Sequence, residues 1–293
     1  DNRIWFGPDG NGVPRIKRFL TDLKHEGMAP TSIMFFKDVG HSQEGAQEVS
    51  KLLDGGFFSG PKPQRLMQRL LTLANLKADS VVLDFFSGSA STAHAVMSKN
   101  AEDGGHRKFI MVQLPEECDE QSEAYKAGYK NICEIGKERI RRAGDKIKSE
   151  SPLTTQDLDI GFRVLKLDDT NMKDVYYAPD DYDQGMLAAL ESNIKEDRTD
   201  LDLLFGCLLE WGLPLSMPYT SEEISGCTVH TYNDGDLIAC FDENIPDEVV
   251  KTIAKRQPLR AVFRDSSFNG SPAKINVTEV FKLLAPDTRV KVI

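Results

Sequence analysis

The most informative stretch of the sequence is Val81-Val82-Leu83-Asp84-Phe85-Phe86-Ser87-Gly88-Ser89-Ala90-Ser91-Thr92-Ala93-His94. A short apolar run ends on an acidic residue, a turn of small residues follows, and a helix-forming segment begins at Thr92. The pattern predicts a strand over 80–86, a turn over 87–91 and a helix over 92–100. A buried strand that turns this tightly into a helix makes a corner suited to anions and nucleosides. Gly88 lets a ligand approach the backbone closely, and the helix start offers N–H groups that lack internal partners. Such a crevice opens at the carboxyl ends of parallel strands. A second apolar run, Lys108 to Leu114, and a long amphipathic segment, Ala124 to Lys148, complete strand, helix, strand and helix. That order specifies a parallel βαβ unit. The spacing alone also fits a plain structural turn. It is not a P-loop, because no Gly-Lys-Ser/Thr follows, and the G-x-G-x-x-G triplet of dinucleotide sites is absent.

Upstream, residues 43–53 read as a helix ended by Gly55-Gly56, and Pro63 in a first turn starts another helix that runs to Leu73. Residues 19–23 suggest a helical turn and 31–39 a strand. Beyond a linker at 149–159, the pattern gives a strand over 162–167 and an acidic, Tyr-containing stretch to Asp183. A helix over 201–211 follows. Strands 228–232 and 237–241 flank the hairpin signal Asn233-Asp234-Gly235-Asp236. A helix over 247–255, a strand over 259–264, a helix over 277–284 and a strand over 290–293 finish a small second domain. The expected fold class is α/β, a Rossmann-like parallel-sheet half-domain followed by a small acidic α/β domain. The boundaries are 1–56, 57–150 and 151–293.

Composition agrees with a globular protein: 293 residues, 40% hydrophobic and 28% charged. No apolar run approaches the ~18 residues that a bilayer span requires. The five cysteines, Cys118, Cys133, Cys207, Cys227 and Cys240, are scattered without a CxxC, so the sequence favours neither a disulfide scaffold nor a metal site. A reducing, cytoplasmic setting fits that usage. The net charge of −10 is uneven. Residues 1–75 hold 10 Lys and Arg against 8 Asp and Glu, whereas residues 151–293 hold 14 against 25. The acidic second half should avoid phosphate backbones, and the near-neutral first half can lie beside them.

The wording of the central stretch carries more than its spacing. Asp84-Phe85-Phe86-Ser87-Gly88-Ser89 resembles the S-adenosylmethionine-binding turn of amino-methylating DNA methyltransferases, whose pattern is Asp-Phe-Phe-Ala/Ser-Gly-Ser-Gly followed by Thr-Thr. The chain departs at Ala90, where the family has Gly, and at Ser91. Ala90 is tolerable at negative φ; at positive φ its methyl is strained and cofactor affinity falls. Upstream, Pro61-Lys62-Pro63-Gln64-Arg65-Leu66 resembles the family's Lys-Pro-x-x-Leu segment beside the methionine end of the cofactor. Downstream, Arg107 to Gln113 resembles the second strand, whose last residue is normally an acid that binds the ribose hydroxyls. Here that position is Gln113, and Glu116 is the nearest carboxylate. Asp1 to Gly7, Val39 to Ser42, Asp159 to Lys166 and Pro258 to Phe268 are similar to segments of the modification subunit of type III restriction–modification systems.

The resemblance implies a set of cofactor-binding residues: Lys62, Pro63, Asp84, Phe85, Phe86, Ser87, Gly88, Ser89, Ala90, Gln113 and Glu116, with S-adenosylmethionine as cofactor and no metal. It implies DNA, a restriction subunit and a second modification subunit as partners, with no membrane. Residues 1–56 become the end of a target-recognition region, 57–150 the cofactor part and 151–293 a subunit-contact domain. The family's Asp/Asn-Pro-Pro-Tyr segment, which holds the adenine amino group, is missing, since no Pro-Pro dipeptide occurs in the chain. The start at Asp1 without Met reads as a piece of a longer adenine-N6 methyltransferase, and the chain alone is expected to be inactive. Two rivals remain open, a non-catalytic Rossmann-like interaction module and a dinucleotide-dependent oxidoreductase. The run Lys137, Arg139, Arg141, Arg142, Lys146 and Lys148 reads as a solvated face, salt-bridged to Glu134, Glu138 and Asp145. His94 reads as a helix-surface or core histidine. Trp5, Phe6, Arg15, Lys17 and Arg18 are the better candidates to face DNA.

Overall fold

A computed structural model describes residues 3–22, 30–173, 193–268 and 270–293. The expected acidic stretch toward Asp183 falls mostly outside them. The chain divides into two compact units, residues 1–162 and 163–293. Both are mixed α/β with parallel strand pairs.

The first unit opens with a small antiparallel pair, β1 (Ile4–Trp5) and β2 (Arg15–Ile16). Among the described residues, six α-helices and a parallel strand pair form its body. α1 (Phe36–Val39) and α2 (Ser42–Leu53) precede α3 (Gln64–Leu73). β3 (Val81–Asp84) then leads through the turn to α4 (Ser91–Asp103) and β4 (Lys108–Met111). Short α5 (Glu123–Lys126) and long α6 (Ile132–Glu150) close the unit. β3 and β4 run parallel, with Val81 opposite Lys108 and Asp84 opposite Met111. Caps fix the helix starts: His41 Nδ1 accepts from Glu44 N–H, and Asn131 Oδ1 accepts from Glu134 N–H. Pro63 stands at the N-cap of α3, one residue before the first turn expected for it.

The period-2 alternation of the strand pair has two outcomes. Val82, Phe109 and Met111 point into clusters built with Leu71, Ala93, Val96, Met97, Ile140 and Ala143. On the opposite face, Val81, Leu83, Ile110 and Val112 are about half exposed, and Phe85 and Leu114 continue the exposed row. Parallel sheets ordinarily bury both faces, so this sheet shows one finished face and one bare one.

Two expected strands are absent from the structure. Over 31–39 the chain forms only α1 at its end, and Ile33, Met34, Phe35 and Phe36 are exposed. Over 162–167 it forms neither strand nor helix, leaving Val164, Leu165 and Leu167 exposed. Apolar content without a neighbour to pair does not make a strand. The first unit also runs past the expected linker at 149–159, because Ile160 and Phe162 pack against the Ala93, Met97 and Ile140 cluster.

The second unit is a five-stranded sheet in the order β5 (Tyr219–Ile224), β6 (Cys227–Tyr232), β7 (Leu237–Cys240), β8 (Arg260–Phe263) and β9 (Arg289–Val292). The first three strands are antiparallel, while β7, β8 and β9 are parallel. α7 (Asp200–Glu210) packs Leu204 and Leu208 on one face with Leu237, Ala239 and Val262. α8 (Asp247–Lys255) and α9 (Gly270–Leu284) cover the other through Val249, Ile253, Val277 and Phe281. A full capping box between Thr199 and Asp202 starts α7.

Candidate functional site

The turn after β3 is tied down from three sides. From its own strand, Asp84 uses both carboxylate oxygens: Phe86 N–H donates to one at 3.2 Å and the Thr92 hydroxyl to the other at 2.5 Å. From β4 and its extension, Ser87 N–H donates to Val112 O at 3.2 Å, and Gly88 N–H donates to Gln113 Oε1 at 2.7 Å. From the upstream segment, Lys62 O accepts the Ser91 hydroxyl at 3.0 Å. The segment at 61–63 and the turn, far apart in sequence, therefore meet at the start of α4.

The candidate residues differ in burial. Pro63, Ser89 and Ala90 are buried, whereas Lys62, Asp84, Phe85, Phe86 and Glu116 have exposed or partly exposed side chains. Phe85 and Phe86 present their rings outward with centroids 5.3 Å apart. Gln113 sits against the turn with both ends engaged, since its Nε2 also donates to Leu114 O. The acceptor proposed for a ribose hydroxyl already takes the Gly88 N–H.

Gly88 and Ala90 both have positive φ, +49° and +60°. At Gly88 the conformation is free of penalty, and a Cβ there would stand 3.1 Å from the Phe58 ring. At Ala90 the left-handed conformation costs about 1 kcal/mol. The structure thus meets the strained alternative set out from the sequence. The Ala90 methyl is 2% exposed and packs with Ala93, Met97, Ile140 and Ala143. Removing it relieves strain but loses about 0.8 kcal/mol of burial and loosens the unfolded chain. An Ala90→Gly chain is accordingly expected to unfold within about 1 kcal/mol of the parent by denaturant titration. A gain of several kcal/mol would show the packing credit to be wrong.

α6 lies directly behind the turn. Gly136 makes the approach possible, since a Cβ there would stand 3.3 Å from Gly88 O and 3.7 Å from the Ala90 methyl. One turn on, Arg139 is 1% exposed, and its Nη1 donates to Ser89 Oγ and Ser91 Oγ, both at 2.7 Å. Burial pulls its pKa down to about 10, partly opposed by the charge of Glu48. Its neighbours in the basic run form the expected pairs with Glu134 and Glu138, while Lys146 pairs with Glu150 and not with Asp145. Lys137 pairs with Glu134, Arg141 with Glu138, and Arg142 with Glu138 and Asp54. Arg139 does not belong to that solvated face. The missed signal is spacing: Arg139 is four residues from both Ile135 and Ala143, inside the apolar stripe. His94, on α4, is buried with Nδ1 unpartnered, and burial together with Arg139 and Lys146 lowers its pKa to about 3.

Trp5 and Phe6, at the β1–β2 pair, are exposed. In the second unit, the adjacent strands β6 and β7 bring Cys227, Cys240 and the Asp242 carboxylate to within 4.8 Å of one another. Burial drives the Cys240 thiol up to about 12 and raises Cys227 as well, which favours neutral core thiols. No described helix is long and apolar enough to cross a membrane.

Residues 7–141 match the family described as DNA methylase. The Mod subunit of the type III restriction-modification enzyme StyLTI from Salmonella typhimurium is 39% identical over 163 residues, covering 56% of this chain and 24% of that protein. The EcoPI Mod subunit of Escherichia phage P1 is 29% identical over 258 residues, covering 83% and 37%. The EcoP15I Mod subunit of Escherichia coli is 26% identical over 295 residues, covering 97% and 42%. The chain therefore spans less than half the length of each of these relatives. The segment that matches the DNA methylase family encloses the whole tied-down turn, and the chain is similar over these lengths to the modification subunits of type III restriction–modification enzymes.

Proposed function

We propose that the chain is the S-adenosylmethionine-binding portion of a site-specific adenine-N6 DNA methyltransferase. The observation that carries this reading is the start of α4. Its N-cap residue is Ala90, which offers no side-chain acceptor to the helix N–H groups. Gly88 stands two residues before it at φ +49°, a conformation that glycine adopts without strain. An uncapped helix start of thirteen residues favours an anionic group, and the carboxylate of an amino-acid-bearing nucleoside fits it.

Each residue then has a task. Asp84 holds the turn through Phe86 N–H and Thr92, and Gln113 holds it through Gly88 N–H. Lys62 and Pro63 wall the amino-acid end through the contact with Ser91. Glu116, with an exposed side chain, is the carboxylate left for the ribose hydroxyls. Phe85 and Phe86 present apolar surface to the same corner. When bound, the cofactor supplies an electrophilic sulfonium methyl for in-line transfer to an amine nitrogen.

Holding the adenine requires a base-binding segment such as the Asp/Asn-Pro-Pro-Tyr motif, which these 293 residues lack. In this reading it comes from polypeptide beyond them, which would also cover the bare face of β3 and β4. DNA, a restriction subunit and a second modification subunit are the partners, and the cytoplasm is the setting. The engagement of Gln113 and the strain at Ala90 favour the rival reading, a Rossmann-like interaction module that binds no nucleoside.

Titration calorimetry separates the two. The chain is expected to bind S-adenosylhomocysteine and not NAD, and to place no tritiated methyl on DNA by itself. Binding of neither ligand would leave the interaction module standing, and methyl incorporation by the chain alone would overturn the division of labour.

A further inference from the structure

Arg139 is a cation in the core without a counter-ion. Among the described residues no carboxylate lies within ion-pair distance of it, and its Nε is buried without a partner. Glu48, the carboxylate whose charge acts on it, already accepts from Gln64 N–H at 2.8 Å. An apolar side chain of similar size would fill this position with less desolvation, so stability alone does not account for the guanidinium. Its position is the telling feature. Nη1 grips Ser89 and Ser91, the residues on either side of the N-cap Ala90, and Ser91 passes the connection on to Lys62 O.

We propose that Arg139, acting through Ser89 and Ser91 behind the uncapped start of α4, is the positioning residue that makes this turn selective for the carboxylate end of its ligand. The inference rests on the nucleoside-binding reading above and adds the origin of the selectivity. The guanidinium points the two hydroxyl oxygens toward itself and leaves the helix N–H groups to the ligand. Its positive charge, buried where water does not screen it, adds to the potential of the helix start.

The test compares two ligands on the whole 293-residue chain by calorimetry. S-adenosylhomocysteine carries the carboxylate, while 5′-methylthioadenosine is a nucleoside thioether without it. Arg139→Gln keeps hydrogen-bond donors and removes the charge. It is expected to weaken S-adenosylhomocysteine binding about ten-fold or more while changing 5′-methylthioadenosine by less than about two-fold. Arg139→Lys, which restores the charge, is expected to recover most of the difference. Where Arg139→Gln does not fold, Ser89→Ala carries the test, with a smaller loss confined to the carboxylate ligand. Equal losses for both ligands, or none, would reduce Arg139 to a structural residue and overturn the inference. A parent chain that binds neither ligand would overturn the nucleoside reading itself, which is a separate result.

Discussion

Gly45→Ala is expected to destabilise the first unit by about 2 kcal/mol or more, although in an open helix the same change stabilises by roughly 1 kcal/mol. Gly45 lies in α2 with its Cα facing the Pro61-Lys62-Pro63 segment. A Cβ there would stand 2.2 Å from Pro61 O, 2.9 Å from Pro63 N and 3.0 Å from the Lys62 carbonyl carbon. Those are backbone atoms, so relief requires moving the segment and not merely rotating a side chain. Lys62 O is the acceptor for Ser91, and displacement would loosen the start of α4 as well. Scanning calorimetry should show the transition of the first unit lowered by roughly 5 °C or more, with the second unit unchanged. Gly60→Ala is the control for strain alone. Gly60, unlike the helical Gly45, has positive φ, +64°, and nothing lies within 4 Å of its added methyl, so only conformational strain remains. A Gly45→Ala chain that melts with the parent or above it would show that the segment yields freely and does not brace the turn.

The same contact shows what the sequence conveys and what it hides. β3, the turn, α4 and β4 are legible because Val81 to Leu83 and Phe109 to Met111 are apolar runs bounded by turn residues. Local chemistry specifies them. β5 is not legible, because Thr220, Ser221, Glu222 and Glu223 are polar and the strand is an edge whose pairing with β6 supplies its reason to exist. Ile33 to Phe36 err the other way, with strand-like side chains and no partner. Around the site, the motif locates the turn but not its supports. Gly45 and Gly136 look like ordinary helix glycines until another backbone is seen against them, and Arg139 looks like one charge among many until α6 is rolled against the turn. Such residues are recognised only by what approaches them from elsewhere in the chain. An unexplained glycine or charge within an apolar helical stripe is the sequence signal that points to them.

Acidification is expected to reveal His94 well before any carboxylate is protonated. The folded chain holds its pKa at about 3, against an ordinary 6.5, mainly because burial disfavours the imidazolium and secondarily because Arg139 and Lys146 repel it. The unfolded chain therefore takes up a proton near pH 6.5 that the folded chain refuses until about pH 3. Stability from this group is full above pH 6.5 and falls as the pH drops through the interval between the two values. At about 1.4 kcal/mol per pH unit, the loss between pH 7 and pH 5 comes to about 2 kcal/mol. The paired carboxylates Glu44, Asp103 and Glu138 are shifted the opposite way, downward through their Arg partners. Their contributions persist until the pH falls below the ordinary carboxylate range, so the window from 7 to 5 isolates the histidine. Denaturant titrations of the parent and of His94→Leu at the two pH values should diverge by about 2 kcal/mol, with the variant nearly insensitive. Parallel pH dependence in the two chains would mean that His94 gains its proton without unfolding, and that the space between α4 and α6 admits water to a cation beside Arg139. The same result would undercut the buried, unscreened field assigned to Arg139 behind the turn, because both groups share that interior.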